Sequence, residues 1–217
     1  MYLYYMRYFV PLMVLVPILI GIMKYYSLDP KMRVLFFYLL IAAVFSAVTT
    51  AMAQSGKNNL PLFHLFTFLE GVLILFFYKS KPGTISRDLF FILLIAFSGF
   101  CFVNSFFIQQ LFKFNTYSRF GEALMIISLC LYYFYLALVN KNPIPWYRDP
   151  LTLVNIGLLL YFSSSLLLFL FSQALLSNKQ VNIVAWVLHA TLLLMMYLLF
   201  GLSFFRYRNK PQEKSVY

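Results

Sequence analysis

Apolar residues run through this chain in long unbroken stretches, and the polar positions between them fall in short, regularly spaced groups. Strand-like alternation of apolar and polar residues is missing from the stretches, which argues against β-barrel strands. Apolar runs of 18 or more residues recur, each long enough to cross a hydrocarbon core of roughly 30 Å. The pattern predicts an all-α polytopic membrane protein, a bundle of seven transmembrane helices spanning about 8–23, 34–53, 60–78, 89–110, 117–139, 151–173 and 181–205. The first stretch is short and contains Pro11 and Pro17, but no A-x-A-like cleavage site follows it, so it reads as a helix rather than a signal peptide.

Turn chemistry fits these limits. Lys81-Pro82-Gly83 breaks the chain after span three, and Asp149-Pro150 is a helix-start signal before span six. Trp146 and Tyr147 stand where interfacial aromatic belts form. The connections are short, the longest being 140–150, and residues 206–217 form a basic tail. With no soluble domain expected, any signal output would belong to a separate partner.

Composition agrees: 63% of the 217 residues are hydrophobic and 11% are charged, far below the roughly 25% charged in soluble proteins. The net charge of +11 reads as membrane orientation and not as nucleic-acid binding. With seven spans, loops one, three and five and the tail carry twelve Lys and Arg, and the opposite side carries five (Arg7, Lys57, Lys113, Arg119 and Lys179). The excess places the N-terminus outside and the C-terminus in the cytoplasm, in a bacterial cytoplasmic (inner) membrane. Cys101 and Cys130 lie inside spans and read as small apolar packing residues.

Ionisable residues within spans are costly and mark functional positions. Five occur: His64, Glu70, Arg119, Glu122 and His189. At about 1.5 Å per residue from the outer ends of their spans, His64 lies about 6 Å deep, His189 about 12 Å and Glu70 about 15 Å. Uncharged polar residues cluster in the same outer half, among them Thr67, Asn104 and Trp186. On span seven, Asn182, Trp186, His189, Leu193, Met196 and Phe200 share one helix face, as do Arg119, Glu122, Ile126, Leu129, Tyr133 and Leu136 on span five. Ser46, Thr49, Thr50 and Ala53 do so on span two. Turned to lipid these stripes would be expensive, so they should face one another.

The expected site is therefore a polar cavity in the outer half, formed by His64, Thr67, Glu70, Asn104, Arg119, Glu122, Trp186 and His189, with Glu70 at its floor and His64 nearer its mouth. Glu70 is either neutral or paired with His189 or Arg119. Competing readings are a local Arg119–Glu122 ion pair and interhelical hydrogen bonding by the two histidines. The serine run 163–165 also reads as packing material.

Three classes of function remain open. A sensor or receptor-like protein would bind a small ligand or a proton in the cavity and act through a cytoplasmic or membrane partner. A small-solute or proton-coupled transporter would need polar residues along the whole path, and the inner half is apolar. A metal-dependent lipid hydrolase could draw on His64, His189 and Glu70 or Glu122 as zinc ligands, with no specific motif to support it. No catalytic residue and no cofactor is expected, and retinal is excluded because the last span has no lysine for a Schiff base.

The stretch "NNLPLFHLFTFLEGVLILFFY", Asn58 to Tyr78, resembles one in short seven-helix membrane proteins of the Bacteroidota. That resemblance implies His64 and Glu70 as marked residues and implies no activity.

Overall fold

The computed structural model describes residues 2–79, 85–140, 145, 147–171 and 178–207. The Lys81–Gly83 turn, Trp146, the end of the sixth expected span and all but the first two residues of the basic tail lie outside the described residues. Those described form seven helices long and apolar enough to cross a membrane: α1 (Tyr2–Ser27), α2 (Pro30–Gln54), α3 (Leu60–Lys79), α4 (Arg87–Ile108), α5 (Thr116–Val139), α6 (Pro150–Leu170) and α7 (Lys179–Arg206). Among the described residues there is no strand.

Several helices begin earlier than their apolar stretches, because capping and not hydrophobicity sets a helix start. Asp29 caps α2 by accepting from the Met32 amide at 3.0 Å, with Pro30 as the first helical residue. Asp149-Pro150 opens α6 in the same way, and Asp149 accepts from the Leu151 amide at 3.2 Å. Asn178 caps α7 through the amides of Gln180 and Val181. One consequence touches the retinal argument. The last helix does contain a lysine, Lys179 at its first position, drawn in by the Asn178 cap. Lys179 is exposed and is not part of the cavity wall described below.

Helix α1 is broken by its prolines. A proline has no N–H and its ring clashes with the carbonyl four residues back. Pro17 thus disturbs Met13, where the helix gives way to a turn at Met13–Val14, and Pro11 disturbs Arg7, inside a π-helical turn spanning Tyr5–Phe9.

Neighbouring helices close into a ring, α1–α2–α3–α5–α6–α7 and back to α1, with α4 packed outside against α3 and α5. Burial agrees with that placement: half of the most apolar stretch of α6 is buried in the protein, against 17% for α4. In lipid, helices associate through close packing and hydrogen bonds and gain little from the hydrophobic effect. Glycine supplies the close approach at two contacts. At Gly71 on α3 a Cβ would run into the ring of Phe97 on α4, and at Gly157 on α6 it would stand 3.2 Å from Phe200 on α7.

The half of the bundle away from the N-terminus is filled by a core including Leu39, Ile74, Ile126, Leu158, Phe162 and Phe200, each no more than 1% exposed. Two of its buried tyrosines find partners inside it. Tyr78 donates to Asn155 Oδ1 at 2.6 Å, and Tyr133 donates to Asp149 Oδ2 at 2.8 Å.

Candidate functional site: a charged cavity inside the helix ring

The centre of the site is Arg119 on α5. Its Nη1 donates to Glu70 Oε2 on α3 and, at 2.8 Å, to Glu122 Oε2 one turn along its own helix. Glu70 Oε1 accepts from the phenol of Tyr38 on α2 at 2.8 Å. The side chains of Glu70, Glu122 and Arg119 are 1%, 0% and 12% exposed, so this is a buried cluster. Glu122 Oε1 has no hydrogen-bond partner. Of the open alternatives for Glu70, pairing with Arg119 is the one the geometry contains. The local Arg119–Glu122 pair is also there, as one arm of a three-residue cluster.

Glu70 and Arg119 form part of the wall of a cavity of about 560 Å³. All six ring helices contribute to it, and α4 does not: Met6, Val10 and Pro11 from α1, Tyr38, Ala42, Phe45, Ser46 and Thr49 from α2, Phe63 and Phe66 from α3, Tyr161, Ser165 and Phe169 from α6, and Trp186, His189, Leu193 and Tyr197 from α7. Phe114 and Trp186 at the wall are exposed, whereas Tyr38, Glu70, Tyr161 and Tyr197 are buried. The cavity therefore runs from an open mouth, at the end where α1, α3, α5 and α7 begin, to a closed floor.

On the α6–α7 side, Ser164 donates its only hydroxyl proton to the Tyr161 carbonyl at 2.7 Å. Its 2.9 Å contact with His189 Nδ1 is then a donation from the imidazole, which leaves Nε2 as the lone-pair nitrogen. The His189 ring also packs against Tyr161 and Trp186, with centroids 5.0 and 5.9 Å apart. The guanidinium of Arg119 lies over the ring of Phe66 at 5.5 Å.

The eight residues expected at one site divide into two groups. Glu70, Arg119, Trp186 and His189 are on the cavity wall, with Glu122 buried behind Arg119. His64, Thr67 and Asn104 are not on that wall. They belong to a hydrogen-bond network joining α3 to α4 and the segment before α5. His64 Nε2 donates to the Lys113 carbonyl at 3.1 Å, so its Nδ1 accepts from Ser105 at 2.9 Å. Thr67 accepts from Asn115 at 2.9 Å, and Asn104 donates to Asn115 Oδ1 at 3.1 Å and to Ser118 at 2.8 Å. A π-helical turn over Asn104–Ile108 precedes this segment.

Sequence reasoning missed Tyr38, Tyr161 and Tyr197. A signal existed for Tyr38, which continues the Ser46–Thr49 face of α2 two turns deeper, at the helical spacing 38, 42, 45, 46, 49.

A zinc site does not fit these residues. Among the described residues no three His, Cys, Asp or Glu side chains come together as ligands. Arg119 occupies the position between the carboxylates that a cation would need, and His64 has hydrogen-bond partners at both nitrogens. Comparison with known proteins leaves the geometry to speak alone: no protein-family model, no curated protein and no solved structure matches the chain.

Proposed function

We propose that this is a receptor-like integral protein of the bacterial cytoplasmic membrane. It binds a small molecule in the cavity floored by Glu70 and passes its occupancy to a partner protein. The observation that carries the reading is the cavity itself: about 560 Å³, within the roughly 300–1,000 Å³ of small-molecule sites, with aromatic walls, a few converging polar groups and an exposed mouth. The positive-inside excess supports a mouth on the outer face.

A transport path would have to continue past Glu70, where Leu39, Ile74, Ile126, Phe162 and Phe200 fill the ring. That packing favours binding over passage.

The test is native mass spectrometry of the protein in lipid nanodiscs, beside Leu193→Trp, which fills the cavity from α7. The expected result is a small-molecule adduct on the wild type that the variant loses. Identical adducts, or none on either protein after incubation with extracts of the source cells, would overturn the proposal.

A further inference from the structure

We infer that the cavity is built for a primary amine in its cationic form, carried on an apolar body. The inference rests on reading the cavity as a ligand site and names the class of ligand.

Charge count is the first argument. Two carboxylates, Glu70 and Glu122, share one guanidinium, so with both ionised the buried cluster carries one negative charge in excess. Such an excess is expensive away from water unless a positive charge answers it. Donor count is the second. Arg119 serves both carboxylates through a single nitrogen, and Glu122 Oε1 receives no donor at all. One carboxylate oxygen of the cluster is thus left without a donor.

Access is the third argument. Glu122 is sealed off, whereas Glu70 is on the cavity wall with one donor at each oxygen. A carboxylate has about four lone-pair sites, so acceptor capacity remains for an ammonium with its three N–H groups. His189 Nε2 is a second acceptor on the wall. Phe45, Phe66, Tyr161 and Trp186 line the same space, and aromatic faces attract a cation. An anionic ligand would meet the Glu70 charge beside an Arg119 whose Nη1 is already committed to both carboxylates. A neutral one would leave the excess unanswered.

The test compares three probes of nearly equal shape, 2-phenylethylamine, phenylacetate and 2-phenylethanol, by calorimetry on wild-type protein in nanodiscs, with empty nanodiscs subtracted. The amine should bind at least about tenfold more tightly than either of the others, as expected for one desolvated cation among aromatic faces and a carboxylate. In Glu70→Gln the amine should lose that advantage while the alcohol keeps its affinity. Should the variant fail to fold, the alcohol is lost too, and the wild-type ratio decides alone. Equal affinity for amine and alcohol would mean that a proton already balances the cluster, and would overturn the inference. Tighter binding of phenylacetate would overturn it as well, and both results would leave the cavity standing as a ligand site. Binding of none of the three would overturn the inference and the ligand-site reading together.

Discussion

Tyr38 on α2 donates its phenolic hydroxyl to Glu70 on α3 at 2.8 Å, and both residues are at most 2% exposed. This one bond ties the charged cluster to a helix with no acidic or basic side chain of its own at that depth. Tyr38→Phe removes the donor and keeps the ring. We expect a loss of about 1.5–3 kcal/mol, the range for a hydrogen bond to a charged group, read as a lower midpoint in a denaturation series in detergent.

Arg119 holds two carboxylates together, so Arg119→Met should cost more, about 3–5 kcal/mol, as when one partner of a buried pair is deleted. The triple variant Arg119→Met, Glu70→Gln, Glu122→Gln should regain most of that loss, because no uncompensated charge remains. A triple variant as unstable as the single one would mean that packing around Arg119, and not charge, sets its contribution.

Gly71 lets α4 lie against α3. Gly71→Ala should destabilise the bundle by about 1–3 kcal/mol through the clash with Phe97, the usual cost of overpacking. Adding Phe97→Leu should restore much of the loss, and a thermal melt of the four proteins closes that cycle.

His64 pins the end of α4 at Ser105 and the segment before α5 at Lys113. In His64→Ala, amide hydrogen exchange over 105–118 should speed up, while exchange in α6 and α7 should not change. Uniform acceleration would assign His64 a role in the whole bundle.

Two further outcomes bear on the proposed reading. Elemental mass spectrometry of the purified protein should find no stoichiometric zinc. Zinc lost in both His189→Ala and Glu70→Gln would put a metal-dependent enzyme first. A reporter fused after Tyr217 should register as cytoplasmic, and an external signal would place the cavity mouth on the other face.

The number of helices was legible from hydrophobic runs alone, and so was the inward direction of Trp186, His189 and Leu193. Helix starts were less so: span two was expected from 34, whereas Asp29-Pro30 begins the helix. The apolar window reports where side chains become hydrophobic, and the cap reports where the backbone turns. Periodicity likewise gave a face without naming what it meets. Glu70, Thr67 and His64 all lie within one broad arc of α3, yet Glu70 turns to the ring interior while the other two meet the α4–α5 side. That division depends on α4 standing outside the ring, which no local pattern encodes. The cavity tyrosines were hidden among 17 tyrosines in the chain, most of which could serve equally as packing.

Six helices share one cavity wall, each giving at least one side chain to it. An occupant is therefore in contact with the whole ring at once, and its binding energy depends on every helix–helix distance around it. By reciprocity, anything that grips the far ends of those helices, a docked protein or a change in bilayer thickness, alters affinity by the same factor that occupancy alters its grip. Under the proposed reading, a ligand in the ring and the membrane around it would be two effectors of a single equilibrium.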